Sequence, residues 1–293
     1  MVKTYNDHYQ ELRKALRQAG VEEAGLEARL LLAAAADKSP AEFLRDLRLY
    51  PGEAFTERAE DALRRRLAGE PAAYIAGSWE FHGLELEVNP NVLIPRSDTE
   101  VVTDAAIDFL RTVPKAKVID LCTGTGCIGL ALAAAVPDCR VVLADCDRRA
   151  LMVAKRNAVR CALSQRAVCI EVDALSAPPK ALGSGYDLLI SNPPYIPTAE
   201  IETLDVSVRE YEPRLALDGG ADGLEFYRAI FAHWVSILRP GGCLALECGE
   251  EQAGSLLRLG TDMGLVRPQV FRDTGGTERA VLLYRPEEKN DSE

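Results

Sequence analysis

Histidine is scarce: His8, His82 and His233 are the only three in 293 residues, far apart and without metal-ligand spacing, so no metal site is expected. No C-x-x-C pair occurs either. The eight cysteines, at 122, 127, 139, 146, 161, 169, 243 and 248, are scattered, most of them inside apolar stretches such as Ala167-Val168-Cys169-Ile170. They read as small buried hydrophobes in a reducing compartment rather than as a disulfide framework. Long apolar runs are missing: the longest, Ile128 to Val136 with Gly129 inside it, is far too short to span a bilayer. The opening stretch Met1 to Asp7 lacks the apolar core of a signal peptide. A soluble, cytoplasmic protein without membrane contact is the expectation. Positive charge is also in deficit, with a formal net charge of −11. Gripping a phosphate backbone calls for a basic field, so direct nucleic-acid binding is not expected, although a local basic patch would be compatible with an acidic chain.

What is present is enough apolar sequence for a substantial core, with an ordinary share of charge. Residues 1–75 read as helices only. Leu12, Ala15, Leu16 and Ala19 recur at helical spacing, as do Leu26, Leu30 and Ala33/Ala34, and a third helix is expected from Thr56, as N-cap, to Ala68 before Gly69. Residues 76–97 read as a linker with a β-hairpin, in which Glu85 to Val88 pairs with Val92 to Ile94 across Asn89-Pro90-Asn91. From 98 to 287, strand-like runs alternate with helical segments. Strands are expected at 118–121, 140–144, 168–172, 186–191, 243–248, 265–271 and 279–284. No helix separates the last two, only the turn Asp273 to Gly276. The expectation is therefore an α/β fold: a seven-stranded, mainly parallel Rossmann-like sheet with a reversed last strand. Residues 288–293 read as a flexible tail.

The first strand of this alternation runs into Asp120-Leu121-Cys122-Thr123-Gly124-Thr125-Gly126-Cys127-Ile128-Gly129. Glycines let the backbone turn sharply and approach a ligand closely, and the crevice beyond the strand ends of an open α/β sheet is the usual ligand site. Asp145, ending the next strand, is placed to accept hydrogen bonds from ribose hydroxyls. Gly124, Gly126 and Gly129 also fit the dinucleotide pattern G-x-G-x-x-G, so the loop alone indicates an adenosine-type cofactor without saying which. Asp120 leans toward S-adenosyl-L-methionine, because a carboxylate there can hold a cationic amino group and would repel a pyrophosphate.

Asn192-Pro193-Pro194-Tyr195 follows the strand Tyr186 to Ser191. Two prolines after a strand can simply end it, but that leaves the asparagine and the tyrosine unexplained. A planar amide or amino nitrogen explains all four. Its two N–H groups can be gripped by the Asn192 side-chain oxygen and the Pro193 carbonyl, favouring electron density on nitrogen as it attacks an electrophilic methyl group. Tyr195 offers a flat face to such a group. Catalysis is then chiefly positioning, since nitrogen can lose its proton after it gains the methyl.

Together, the glycine loop, Asp145 and Asn-Pro-Pro-Tyr resemble class I methyltransferases that act on planar nitrogens. Arg65 to Pro71, Leu93 to Glu100, Tyr211 to Leu217, Asp222 to Leu224 and Asp273 to Arg279 narrow the resemblance to the peptide chain release factor glutamine methyltransferases, from about residue 10 to 285. The resemblance implies a helical domain that docks the protein substrate, ahead of a catalytic domain. It implies transfer from S-adenosyl-L-methionine to the glutamine side-chain nitrogen in the Gly-Gly-Gln motif of class 1 release factors. It also implies that Cys122 to Gly126, Asp145, Asp173, Ala174 and Asn192 line the cofactor, and that Asn192 to Tyr195 hold the glutamine. Cys122 stands where the family commonly has Gly, and Ala174 where a bulkier residue is frequent.

A ribosomal-protein glutamine methyltransferase is the nearest alternative, and a nucleic-acid adenine N6-methyltransferase a more distant one, since it must extract its base from a stack. A nicotinamide-dependent oxidoreductase would leave Asn-Pro-Pro-Tyr without a role. Arg64 to Arg66 read as a solvated surface, Arg96 as a partner of Asp98 or Glu100 or an orienting group for the substrate loop, Asp218 to Gly220 as a loop over the site, and Glu247 as a structural hydrogen-bonding group facing the crevice.

Overall fold

The computed structural model describes residues 2–287; the tail expected at 288–293 lies outside them. The chain divides into two compact units. The first runs to Trp79 and takes in 88–90 and 205–211; the second comprises 80–87, 91–204 and 212 onward.

The first unit contains α1 (Tyr5–Gln18), α2 (Ala24–Ala35), α3 (Pro40–Arg45), α4 (Glu53–Leu67) and α5 (Ala72–Ala76). Two capping boxes start helices: Thr4 with Asp7 at α1, and Ser39 with Glu42 at α3. In each, side chain and backbone satisfy one another's free donors. The apolar faces converge on Leu16, Leu31, Leu32, Phe43 and Phe55, with Tyr5 set edge-on to Phe43 and Phe55 at 5.5 and 5.0 Å. α4 begins three residues earlier than Thr56, because Gly52 and not the threonine takes the extended N-cap conformation. The arginines of its last turn are paired: Arg64 with Asp61, Arg65 with Glu70 and Arg66 with Glu27, so Arg66 is partly buried rather than solvated.

β1 (Ser78–Phe81) and β2 (Leu84–Glu87) form a separate two-stranded sheet. The hairpin thus exists, but the partner of the Glu85 segment precedes it. His82 and Gly83, both at positive φ (52° and 76°), make a two-residue turn whose twist suits a tight hairpin. The stretch 92–94, lying between Pro90 and Pro95, forms no strand.

The second unit is an α/β layer structure with α6 (Thr99–Leu110), β3 (Lys117–Leu121), α7 (Cys127–Ala135), β4 (Arg140–Asp145), α8 (Arg148–Arg160), β5 (Ala167–Glu171) and β6 (Tyr186–Ser191). After the single turn α9 (Val206–Arg209), which belongs to the first unit, come α10 (Glu225–Ala229), β7 (Leu238–Glu247), α11 (Ala253–Asp262), β8 (Val266–Arg272) and β9 (Glu278–Tyr284). The sheet order is β5-β4-β3-β6-β7-β9-β8. Pairing is parallel from β5 to β7, while β9 runs antiparallel to both β7 and β8. The reversed last strand is therefore an interior strand. Residues 224–238, whose apolar spacing alone reads as one helix, form α10, a π-turn at Ile230–Trp234 and a 3₁₀ turn at Val235–Ile237. The π-turn residue Trp234, fully buried, donates its indole N–H to the Ala174 carbonyl at 3.0 Å.

One apolar layer, with Leu130, Leu143 and Leu188, covers one face of the sheet, and a second, with Leu189, Leu244 and Trp234, covers the other. Because β4 and β5 lie on one side of β3 and β6 and β7 on the other, the order in which the parallel strands are laid down reverses at the β3–β6 boundary. In open α/β sheets that switch opens a crevice beyond the strand ends.

Candidate active site

β3 and β6 end level, with Leu121 beside Ser191, and the Ser191 hydroxyl donates to the Leu121 carbonyl at 2.6 Å. The two motifs picked out in the sequence, some 70 residues apart, leave the sheet side by side. A cavity opens over these ends. Its walls include Cys122, Thr123, Gly124, Thr125, Asp145, Ala174, Asn192 and Pro194, all within the second unit. Asp120, Gly126, Asp173, Pro193 and Tyr195 lie outside its lining.

The glycine loop is held from below. Asp120 is fully buried, and its Oδ2 accepts from the Thr123 hydroxyl and from the Gly129 N–H at 3.0 Å. Its Oδ1 is buried without a hydrogen-bond partner among the described residues. Burial outweighs the two hydrogen bonds and pushes its carboxyl up to about 7. Gly129 lies against β4 so closely that a Cβ would sit 2.3 Å from Leu143 Cδ2, which explains the third glycine as a packing residue. Cys122 is held at φ 61°, a left-handed conformation easy for glycine and strained for a residue with a Cβ. A glycine at this position would carry no such strain.

Asp145 closes the loop's far side, with Oδ2 accepting from Gly124 N–H at 2.9 Å and Oδ1 from Asp147 N–H at 3.0 Å. The carboxylate keeps acceptor capacity beyond its backbone partners, and burial raises the group above its ordinary range. Asp173 turns away: its carboxylate accepts from the Leu175 N–H and the Ser176 hydroxyl, both at 2.9 Å, while its neighbour Ala174 lines the cavity.

At Asn192 the side-chain Nδ2 donates to Thr99 Oγ1 at 3.2 Å. Its amide oxygen is thereby the end left for another group. Pro193 and Pro194 have no N–H to continue the ladder, which ends β6 at Ser191. Tyr195 is gripped through its backbone: Gln252 Nε2 donates to its carbonyl at 2.9 Å. A Cβ on Gly219 would lie 2.7 Å from Tyr195 Cα, and one on Gly223 only 2.3 Å from Tyr195 O. Its ring packs on Gly249, and burial raises its phenol well above the ordinary value. Asp218-Gly219-Gly220 is therefore less a cover than a brace, with Ile196 bridged to Asp218 and the Gly219 N–H donating to the Ile196 carbonyl at 2.8 Å.

Several supporting residues carry little sequence signal. Glu212, whose side chain is 1% exposed, pairs with Arg96 and accepts from the Ile94 N–H at 3.1 Å, so the partner of Arg96 is neither Asp98 nor Glu100. Asp98 pairs instead with Arg279 at 3.0 Å. Asn157, fully buried on α8, donates to the carbonyls of Thr125 and Glu87 at 2.9 and 3.0 Å. A polar residue on the otherwise apolar face made by Ala150, Val153, Ala154 and Ala158 was the available clue.

A stability test follows from Asp120. Its folded-state pKa is raised, so its contribution is fully present below the unfolded value and is lost as pH rises through about 7. The stability difference between wild type and Asp120→Asn should therefore shift against the wild type by on the order of 2–4 kcal/mol between about pH 4 and pH 8. Urea unfolding at both pH values measures it; an unchanged difference would contradict the buried ionisation.

Comparison with known proteins agrees with this architecture. Residues 7–77 match the PrmC N-terminal domain family and 97–209 the methyltransferase small domain family. The hMettl16 catalytic domain, solved in complex with MAT2A 3′UTR hairpin 6, aligns with a TM-score of 0.57 at 18% identity, covering 80% of this chain and 82% of that one. That likeness concerns the fold. A release factor glutamine methyltransferase of Geobacter sulfurreducens is 42% identical over 92% of each chain. One from Moorella thermoacetica is 42% identical over 285 residues, 94% of this chain and 99% of its own. Helical unit, methyltransferase sheet and near-complete coverage all agree: the chain belongs to the release factor glutamine methyltransferase family.

Proposed function

We propose that the protein transfers a methyl group from S-adenosyl-L-methionine to the side-chain amide nitrogen of the glutamine in the Gly-Gly-Gln motif of class 1 peptide chain release factors. S-adenosyl-L-homocysteine is the by-product, and the cytoplasm is the site of action. The observation carrying this reading is the Asn192 side chain, turned so that Thr99 takes its N–H and its oxygen is left to accept. A substrate amide offers the matching pair of N–H donors, one for that oxygen and one for the Pro193 carbonyl.

The cavity fits the methyl donor. Cys122 to Gly126 supply a backbone with left-handed turns at 122, 124 and 126, Asp145 has acceptor lone pairs for ribose hydroxyls, and Ala174 and Asn192 complete the wall. Asp120 acts through the loop it braces, and Asp173 through the turn that presents Ala174. When bound, this group supplies a methyl on a positively charged sulfur. The protein's part is to hold the amide plane against the Tyr195 face, keep its N–H groups on two acceptors, and leave the nitrogen lone pair free. The helical unit would dock the release factor.

Methyl transfer from labelled donor to a purified class 1 release factor, with the modified peptide mapped by mass spectrometry, tests the proposal. Label on the glutamine supports it. Label only on a ribosomal protein or on nucleic acid replaces the substrate. For the cofactor contacts, Asp145→Ala should weaken S-adenosylhomocysteine binding about 100-fold, the loss of two hydrogen bonds to a charged acceptor. An unchanged calorimetric Kd would remove Asp145 from the site.

A further inference from the structure

Asn192 can serve as an acceptor only if its carboxamide is held one way round, and a hydroxyl alone cannot enforce that. Thr99 Oγ1 can accept from Nδ2, or its proton can turn and donate to the amide oxygen, which would present the N–H₂ end to the substrate. The choice lies with whatever takes the threonine proton. Thr99 is 2% exposed at the start of α6 and bonded to Asn192 at 3.2 Å. Beside it, within reach of its hydroxyl, is the Glu247 carboxylate at the end of β7. Glu247 is 1% exposed, and its Oε2 is buried without a hydrogen-bond partner among the described residues. A buried carboxylate with spare acceptor capacity is costly unless something offsets it.

We propose that Glu247 acts through Thr99 as a positioning device that fixes the orientation of the Asn192 carboxamide, and with it the acceptor presented to the substrate amide. An ionised carboxylate only accepts. It draws the Thr99 proton, the hydroxyl lone pair then takes the Asn192 N–H, and the amide oxygen faces outward. The chain of donors runs in one direction, from asparagine to threonine to glutamate. A protonated Glu247 can donate to Thr99 and allow the chain to reverse. No bond is made or broken in the proposal, and Glu247 lies outside the cavity lining, so it is neither the base nor a substrate contact.

The surroundings set when reversal occurs. Arg96 and Arg279 favour the charged form of Glu247, Asp98 opposes it, and burial opposes it most, leaving the carboxyl pushed up to about 7. Tyr195, Tyr227, Cys127 and Cys248 also face it, but burial raises all four so that they stay neutral near pH 7. Glu247 is thus the group facing Thr99 that titrates in the neutral range.

The inference rests on the proposed amide chemistry, so its test combines two readouts. With release factor as substrate, Thr99→Val should lower kcat about 30-fold or more with KM and S-adenosylhomocysteine affinity within about threefold, and Thr99→Ser should restore most of kcat. Wild-type kcat should fall below about pH 7, and Glu247→Gln should lower kcat about tenfold and remove that pH dependence. The second readout needs no substrate. The Asn192 side-chain N–H₂ resonance, identified by its loss in Asn192→Ala, should titrate with a midpoint near 7 in wild type and be independent of pH in Glu247→Gln. Near-normal kcat in Thr99→Val, or an Asn192 resonance indifferent to Glu247, would overturn the inference. A wild-type protein that leaves the release factor unlabelled would sink the substrate instead, while the resonance would still report on the relay.

Discussion

Asn192→Ala is expected to lower methyl transfer at saturating donor by about 1,000-fold or more while leaving the fold close to wild type. Among the described residues the side chain makes one hydrogen bond, to Thr99, and it is only partly buried, so its removal costs little stability. Its loss removes the acceptor that holds one substrate N–H, and an amide nitrogen depends on that grip because its own lone pair is delocalised. Asn192→Asp sharpens the test. It keeps the shape and the oxygen but lacks the N–H that Thr99 receives, and it sets a second carboxylate near Glu247. It should be nearly as inactive as the alanine variant. Single-turnover assays with saturating donor, alongside circular dichroism and S-adenosylhomocysteine titration, separate the effects; turnover within about tenfold of wild type would end the amide-gripping mechanism.

Gly223→Ala is expected to be almost as damaging from outside the motif. The added Cβ would lie 2.3 Å from the Tyr195 carbonyl oxygen and 2.8 Å from Gln252 Nε2, the donor to that carbonyl. A backbone atom cannot swing aside as a side-chain tip can, so the whole Asn-Pro-Pro-Tyr turn must move. A shift of about 1 Å in a positioning site costs on the order of 100-fold in rate. Gly223 also sits at φ +71°, so part of any loss is simple backbone strain. Gly264→Ala is the matched control: its φ is +75° with open space around the new carbon. Both variants should lose about 1 kcal/mol of stability from the left-handed conformation, and only Gly223→Ala should lose turnover. Equal activity in the two would mean that Tyr195 is not held by this contact.

These residues mark where sequence reading works and where it stops. The alternation of strands and helices, the glycine loop and Asn-Pro-Pro-Tyr are local patterns, and the fold they imply is the one observed. Both motifs indeed leave adjacent strands, β3 and β6, at one end of the sheet. The hairpin was legible as a hairpin but not in its pairing, because the turn is His82-Gly83 and histidine gives little warning of positive φ. The α10 segment reads as one long helix since a π-turn keeps helical spacing of apolar residues nearly intact. Thr99, Glu212, Gln252 and Glu247 act through partners more than 50 residues away in the chain, and no local spacing announces such a partner. Asp173 shows the converse: a residue carried over by resemblance whose carboxylate serves its own turn.

The order of the sheet bears on how the protein is made. β9, which emerges from the ribosome after β1 to β8, fits between β7 and β8. Until it arrives, β7 presents an open edge carrying Leu244 and Leu246, and β8 has no neighbour to pair with. A nascent chain halted before Glu278 would therefore expose an adhesive strand edge at the very strand that carries Glu247. Loss of β9 should send the protein into aggregates and chaperone complexes rather than yield a slightly shortened enzyme, and methyl-transfer competence should appear only once β9 has emerged.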